Sequence, residues 1–238
     1  SNDMAYLLAV IGGGQGLAGS EAEGTLHLQR NPSNAIIIAG EIVSEFRFHH
    51  VHNGVRYFMA SVSSIRYSET PDTFLVLVPE GMLDFSEPYL YSRIILCGEI
   101  LVFKNRGSRG MRTSYYVLAH HAEFNELDGP VYQNIMYVNG TVRFKPVYRK
   151  TPRGKEITNI TLSTVDETGH YHDIPCIFWN KNARLTADLA IGTRMHVWAR
   201  FESREYDKKM PDGKILKRTT YEASVSRFSL IWEPCNFI

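Results

Sequence analysis

The stretch that decides the fold is Asn134–Leu162, which reads NIMYVNGTVRFKPVYRKTPRGKEITNITL. Its even-numbered positions from Met136 to Val142 are apolar or small, and other residues alternate with them. Alternation with a period of two is typical of a half-buried β-strand. Pro146 and the run Thr151–Gly154 indicate turns. The stretch is therefore interpreted as a strand, a basic connection and a second strand.

The connection between these strands combines positive charge with an aromatic ring. Its cations stand close together in the sequence: Arg149, Lys150, Arg153 and Lys155. Tyr148 lies directly before them. Cations neutralise phosphates, and an aromatic ring offers a face on which a base can stack. The pattern predicts contact with a nucleic-acid strand.

The sequence also contains an internal repeat. Three pairs of segments match in one register, at offsets of 100, 100 and 101 residues: Asn34–Gly40 with Asn134–Gly140, Gly54 with Gly154, and Ile94–Ile100 with Met195–Phe201. We interpret the chain as two copies of one domain behind an amino-terminal arm. The predicted bounds are 1–33 for the arm, 34–126 for the first copy and 127–238 for the second, with a hinge at Asp128–Pro130.

Length and composition agree with two ordinary globular domains. The chain has 238 residues, of which 44% are hydrophobic, enough for packed cores. No apolar run approaches the roughly 18 residues that a membrane span needs, and no secretory leader is evident. The three cysteines, Cys97, Cys176 and Cys235, are widely spaced. This spacing favours reduced thiols over disulfides or zinc, and hence a cytoplasmic protein.

Two segments formally resemble other kinds of site. Gly14, Gly16 and Gly19 fit the spacing of a dinucleotide-binding loop, but no helix with an apolar stripe follows them. We therefore expect a flexible or pairing arm there. His49, His50 and His52 could hold a metal, but no carboxylate or thiol is spaced to join them, so a solvated loop is expected and no metal.

Each copy is predicted to contain five strands. The predicted strands are Asn34–Ser44, Val55–Ser63, Thr73–Val78, Arg93–Phe103 and Ser114–Phe124, then Gln133–Phe144, Glu156–Val165, His172–Asn180, Arg194–Tyr206 and Lys217–Leu230. A helix-like segment, Asn182–Ala190, follows the third strand of the second copy and ends at Gly192. Five strands with one helix in this place indicate an OB-fold barrel. The predicted class is all-β, with two tandem OB-fold barrels and one short helix in the second.

The third and fourth strands of the second copy indicate which face is the core. Ile174, Cys176 and Phe178 share one face of the third strand, so Trp179 points the other way. In the fourth strand one face is apolar from Met195 to Phe201. The opposite face carries Trp198, Arg200, Arg204 and Tyr206. Such a surface suits nucleic-acid stacking, and an oligomer interface favours the same residue types.

These motifs together resemble the bacterial single-stranded DNA-binding protein family. The resemblance rests on Asn134–Gly140, Pro146–Lys155, Asn159–Leu162, Asp173–Lys181, Gly192–Arg194, and Arg204, Tyr206, Asp212 and Gly213. It covers nearly all of the second copy, whereas the first copy resembles the family weakly. The resemblance implies that aromatic residues at Trp179 and Tyr206 stack bases, and that basic residues near Arg149, Lys155 and Lys181 line the path of the strand.

The resemblance also bears on assembly and partners. The family works as four OB folds, which a chain with two copies would reach as a homodimer. Two positions depart from the family pattern. Ala199 stands where the family often has glycine, and no acidic tail is present after Trp232. Recruitment of replication and repair proteins through such a tail is therefore left open.

Charge is distributed unequally between the copies. Residues 34–126 carry 8 Lys and Arg against 10 Asp and Glu, a net charge of −2, and residues 127–238 carry 17 against 12, a net charge of +5. The excess in the second copy coincides with the predicted stacking face. No nucleophile elbow, carboxylate pair or metal motif is evident, so we expect no enzyme activity and no cofactor.

The sequence thus predicts a protein that binds single-stranded DNA with little sequence specificity, in replication, recombination or repair in the bacterial nucleoid. The predicted contact residues are Tyr148, Arg149, Arg153, Lys155, Trp179, Lys181, Arg200, Arg204, Tyr206, Lys208, Lys209 and Arg218. The alternatives are a primosome-type or RNA-binding OB protein, or a scaffold whose OB folds contact only protein.

Overall fold

The computed structural model describes residues 33–108, 110–125, 132–166 and 168–231. The predicted arm up to Pro32, the hinge Asp128–Pro130 and Cys235 lie outside these residues. The described part is almost entirely β-structure. Its strands are β1 (Asn34–Ile42), β2 (Arg47–His52), β3 (Val55–Ile65), β4 (Pro71–Pro79), β5 (Arg93–Gly107), β6 (Gly110–Phe124), β7 (Gln133–Val142), β8 (Val147–Lys150), β9 (Glu156–Val165), β10 (Tyr171–Trp179), β11 (Arg194–Lys209) and β12 (Ile215–Leu230).

Two short helices accompany the strands in the described part of the chain. A 3₁₀ turn spans Glu80–Met82, and the helix α1 spans Lys181–Thr186. The helix is shorter than predicted but lies where the sequence placed it, and Gly192 takes a positive φ of 92° in the turn that follows. Neither is long and apolar enough to cross a membrane.

The strands close into two barrels of the same topology. In the first barrel the strand order is β2-β3-β4-β6-β5-β1, and β1 pairs back with β3. In the second the order is β8-β9-β10-β12-β11-β7, and β7 pairs back with β9. The closing registers differ by 100 residues: Glu41 lies opposite Ser63, and Thr141 lies opposite Ser163. The predicted class of two tandem OB-fold barrels is confirmed.

Glycine makes the closure possible. A Cβ at Gly40 would lie 2.5 Å from the carbonyl oxygen of Ser63, and one at Gly140 would lie 3.0 Å from that of Ser163. Any side chain at these positions would push the strands apart at the point where the barrel closes. The repeated Asn-to-Gly strand thus marks the barrel closure in both copies.

The barrel cores contain the residues that alternation placed there. Ile174, Cys176 and Phe178 are buried on β10, and Met195 and Phe201 are buried on β11. The facing assigned to these strands is confirmed. Buried apolar side chains of this size each contribute about 1.5–3 kcal/mol to folding.

The predicted connections before the second strands are themselves strands. The sequence predicted turns there, yet β2 and β8 pair with β3 and β9. Each is short and exposed, so it lacks the half-buried alternation that identified the other strands. Asn53 and Gly54 join β2 to β3 with positive φ angles of 49° and 75°, as in a two-residue type I′ hairpin turn.

By their internal contacts the described residues form two compact units. The first unit contains Ile36–Ile135 together with Phe201–Glu222, and the second contains Met136–Arg200 together with the described residues from Ala223 onward. The distal part of the β11–β12 hairpin therefore belongs to the first unit. The domain bounds predicted from the sequence, with a single division between 126 and 127, stay a prediction.

The distal hairpin is held in the first unit by aromatic packing and by one carboxylate. Phe201 stacks on Phe74 at 5.9 Å, and Tyr221 lies 5.5 Å from Tyr115 between ring centroids. Asp72 is fully buried, and its carboxylate accepts hydrogen bonds from Arg66 and from the backbone N–H of Ser203. The buried charge is therefore compensated by an ion pair and by a backbone donor.

Candidate nucleic-acid interface

Trp179 ends strand β10 as a half-buried ring with a fixed orientation. Its indole Nε1 donates a hydrogen bond to Ser224 Oγ at 3.1 Å. The Lys155 ammonium lies 5.9 Å from the ring centroid. A fixed indole beside a cation can stack a base while the cation meets the neighbouring phosphate.

Tyr148 on β8 is anchored through its hydroxyl group. The hydroxyl donates a hydrogen bond to Glu156 at 2.7 Å, and Arg184 of α1 forms an ion pair with the same carboxylate. The hydrogen bond to Glu156 raises the pKa of the Tyr148 phenol, and the same bond lowers the pKa of the Glu156 carboxyl. The ring itself remains 40% exposed. Tyr148 therefore offers an oriented, accessible ring.

An open cleft lies beside this tyrosine. Its volume is about 430 Å³, and its lining consists of Lys145, Pro146, Tyr148, Arg184, Ala187 and Asp188. Lys145, the Tyr148 ring and Arg184, which is ion-paired with Glu156, line this space together with the acidic residue Asp188. The cleft suits one nucleotide better than an apolar ligand.

The other cations predicted in this region are exposed. They lie on β8, in the turn after it, and at the first residue of α1: Arg149, Arg153 and Lys181. Arg200 is exposed on β11 in the same unit. The strand register places Trp179 on the same face as Arg149, because both lie opposite Ile157, and places Tyr148 on the other face, opposite Thr158. The second unit thus carries two aromatic groups, Trp179 beside Lys155 and Tyr148 beside Arg184.

Five predicted contact residues belong to the other unit. They lie on the distal β11–β12 hairpin: Arg204, Tyr206, Lys208, Lys209 and Arg218. Tyr206 is 39% exposed, so its ring is accessible for stacking. These residues form a separate basic and aromatic group within the first unit.

Trp198, which the sequence left between two interpretations, packs in a cluster. The Arg227 guanidinium lies 4.3 Å from its ring centroid, and Tyr137 and His196 lie within 6.2 Å. Burial raises the pKa of Tyr137 to about 12. Burial and, to a smaller extent, Arg194 lower the pKa of His196. With Arg227 over its ring, Trp198 is less suited to base stacking than Trp179.

The histidines of the first barrel lie on strand β2 and not in a turn or solvated loop as predicted. A bulge between Phe48 and His50 allows His49 Nδ1 to approach His50 Nδ1 to 2.7 Å. Within the described ranges, no group of three or more His, Cys, Asp or Glu side chains could hold a metal ion.

The residues that orient the aromatic rings were missed by sequence reasoning. Ser224 is 45 residues from Trp179, and Arg184 is 28 residues from Glu156. Arg227 over Trp198 is equally remote in sequence. Only the barrel topology brings these partners together, so no local pattern marks them.

Comparison with known proteins relates the second barrel to a described family. Residues 133–231 match the model of the single-strand binding protein family. The second barrel, which these residues span, is therefore similar to that family. The matched family is one of single-strand binding proteins, which agrees with the prediction that the chain is not an enzyme.

Two solved structures from Thermus aquaticus share the fold. The wild-type single-stranded DNA binding protein is 15% identical, with a TM-score of 0.65 over 84% of this chain and 93% of that one. A deletion mutant of the same protein is 16% identical, with a TM-score of 0.67 over 84% and 95%. No curated protein matches the chain. A coverage of 84% exceeds residues 133–231, so the likeness extends into the first barrel.

Proposed function

We propose that the chain binds single-stranded DNA with little sequence preference. The observation that carries the proposal is Trp179, a partly exposed indole held by Ser224 beside Lys155, in a barrel that matches the single-strand binding protein family. A stacked base contributes about 1–3 kcal/mol whatever its identity, because every base has a π-face. Cations add affinity that depends on the phosphates alone.

The second barrel is assigned the main contact surface. Trp179 and Tyr148 stack bases there, on the two faces of the β8–β9–β10 sheet, and the exposed cations of this barrel neutralise phosphates: Arg149, Arg153, Lys155, Lys181 and Arg200. The distal hairpin adds a second stretch through Tyr206 and its neighbours, namely Arg204, Lys208, Lys209 and Arg218. Such a surface suits replication, recombination or repair in the bacterial cytoplasm, with the protein bound along exposed strands of the nucleoid.

The assembly is proposed to be a homodimer, which would unite four OB folds. Light scattering at micromolar concentration should give the mass of two chains, and a mass of one chain would contradict the dimer. Adding a long oligo-dT should increase the mass further by the bound strand alone.

Tryptophan fluorescence tests the binding. In a variant with Trp198 and Trp232 replaced by Phe, Trp179 alone reports, and titration with oligo-dT should quench its emission. A scaffold that contacts only protein would give no quenching. Stronger binding of an oligoribonucleotide than of the matched deoxyribonucleotide would indicate an RNA-binding protein instead.

A further inference from the structure

Strand β2 of the first barrel has one extra residue between two strand pairs that are consecutive in strand β8 of the second. In the β2–β3 hairpin, Phe48 pairs with Phe58 and the next pair is His50 with Tyr57. In the β8–β9 hairpin, Tyr148 pairs with Thr158 and the next pair is Arg149 with Ile157. The extra residue is His49, which forms the bulge. His50 therefore takes the place that Arg149 has in the second barrel.

The bulge produces a row of four rings, which we call the histidine ladder: Tyr57, His50, His49 and Tyr116. His50 lies parallel to Tyr57, with centroids 4.8 Å apart and an interplanar angle of 5°. His49 meets Tyr116 edge to face at 5.2 Å, and the two imidazoles share a hydrogen bond between their Nδ1 atoms. Consecutive residues of a regular strand point to opposite faces, so this contact depends on the bulge.

The ladder also replaces the aromatic ring of the second barrel. Trp179 lies opposite Ile157 on the neighbouring strand, and at the same register in the first barrel Pro79 lies opposite Tyr57. The large aromatic residue of this pair is therefore Tyr57 on β3 in the first barrel, whereas in the second barrel it is Trp179 on β10, one strand further along the sheet. Phe48 pairs with Phe58, the residue after Tyr57, so it lies on the opposite face of the hairpin from the ladder. The first barrel thus has rings available where the second barrel has Trp179.

We propose that the histidine ladder is a second single-strand site, in which Tyr57 contacts a base and the histidines neutralise phosphate only when protonated. The proposal rests on the proposed function. The inference goes beyond the proposed function because it assigns the first barrel an affinity for single strands that increases at lower pH. Arginine and lysine side chains, which provide the charge in the second barrel, are protonated throughout the physiological range.

The charged surroundings of the ladder favour this behaviour. The titratable and charged groups near the ladder lie on three strands: Arg47 and His52 on β2, Arg56 on β3 and Tyr116 on β6. Arg56 forms an ion pair with Glu80 at 2.7 Å. Burial, and then His49 and His52, lower the pKa of His50. His50 therefore holds its proton less readily than an ordinary histidine, at the position where the second barrel has Arg149. A phosphate stabilises the imidazolium, so binding of a strand takes up protons.

The test compares the salt dependence of oligo-dT binding at about pH 5.5 and about pH 7.5, on either side of the ordinary histidine pKa near 6.5. Thymine does not titrate in this range. Each phosphate contact adds about 0.7 to the log–log slope. For the full-length protein we expect the slope to be steeper by about 0.7–1.4 at the lower pH, because one or two added contacts form.

Two variants separate the outcomes. Replacing His49, His50 and His52 with Gln should abolish the difference between the two pH values and leave binding at pH 7.5 unchanged. His170→Gln, a highly exposed histidine of the second barrel, is the matched control and should keep the difference. Calorimetry of the unmodified protein in buffers of different ionisation enthalpy should detect proton uptake on binding, which does not depend on how the variants fold.

Three results would overturn the inference. These are an equal slope at both pH values in the unmodified protein, an unchanged pH effect in the glutamine variant, or loss of binding at both pH values in that variant. The third would indicate that the ladder serves stacking or protein contact alone. Absence of oligo-dT binding at either pH would instead contradict the proposed function itself.

Discussion

The two barrels carry a carboxylate paired with a nitrogen side chain at the same place, with the positions of the two residue types exchanged. In the first barrel Arg66 pairs with Asp72 at 2.6 Å, and in the second, 100 residues further on, Asp166 pairs with His172 at 2.8 Å. The turns that hold them match as well. Arg66 N–H donates to Thr70 O and Asp166 N–H donates to His170 O, both at 2.9 Å.

The two pairs hold different parts of the structure, because the acid is the second residue of the pair in the first barrel and the first residue in the second barrel. Asp72 uses its carboxylate to hold the backbone N–H of Ser203, so the pair fixes the distal hairpin in the first unit. Asp166 accepts hydrogen bonds from Thr168 and His170 of its own turn. One position in a repeated fold can therefore serve long-range docking in one copy and local turn rigidity in the other.

Asp72→Ala should have the largest effect. It leaves the Arg66 guanidinium, which is largely buried, without its carboxylate and removes the acceptor for Ser203. Breaking a buried pair costs about 3–5 kcal/mol. Urea denaturation should show this loss, and Arg66→Met combined with Asp72→Asn should recover part of it. A loss below about 1 kcal/mol would contradict the docking role.

Neighbouring substitutions on β10 should separate stability from binding. Phe178→Ala should cost about 3–5 kcal/mol of unfolding free energy, because Phe178 is fully buried. Trp179→Ala should keep the fold and weaken oligo-dT binding by about 1–3 kcal/mol. Pro79→Ala, at the equivalent register of the first barrel, is the matched control and should leave binding unchanged. A poorly folded Trp179→Ala beside a well-folded Phe178→Ala would reverse the facing of the strand.

The pair in the second barrel should make the stability of the protein depend on pH. Partial burial opposes ionisation of Asp166, but hydrogen bonds from His172, Thr168 and His170 outweigh it and bring its pKa to about 2. A lowered acid pKa stabilises the fold above the ordinary value near 4, and the benefit is lost as the pH falls toward 2.

Asp166→Asn should therefore be less stable than the unmodified protein at neutral pH by about 1 kcal/mol, after allowance for solvent screening. The difference should disappear near pH 2. Melting curves across that range test it, and a difference that did not depend on pH would exclude the carboxylate as its source.

The smallest effect concerns the turns themselves. Glu69 has a positive φ of 66°, and its counterpart in the second barrel is Gly169 with a φ of 83°. For a residue other than glycine, this left-handed backbone conformation costs about 1–2 kcal/mol. Glu69→Gly should raise the unfolding free energy by up to about 1 kcal/mol, and Gly169→Ala should lower it by a similar amount. Opposite signs would mean that contacts of Glu69 outweigh its backbone strain.

Sequence reasoning identified the repeat, the OB class and the buried faces of β10 and β11, because each depends on alternation or on glycine placement. It missed β2 and β8 as strands, since exposed short strands leave no such pattern. The bulge at His49 shifts the pairing by one residue, so matching by a constant offset failed within that hairpin. Partners such as Ser224 and Ser203 depend on topology, which periodicity does not specify.

The type I′ turn at the tip of the β2–β3 hairpin also contains a site for deamidation, Asn53. Gly54 follows Asn53, and an unhindered glycine amide nitrogen can attack the asparagine side chain, releasing ammonia and forming a cyclic imide. Hydrolysis of the imide yields aspartate or isoaspartate, and the latter inserts a methylene into the backbone of a two-residue turn. Stored protein should therefore acquire a negative charge next to His52, detectable as an acidic species by ion exchange.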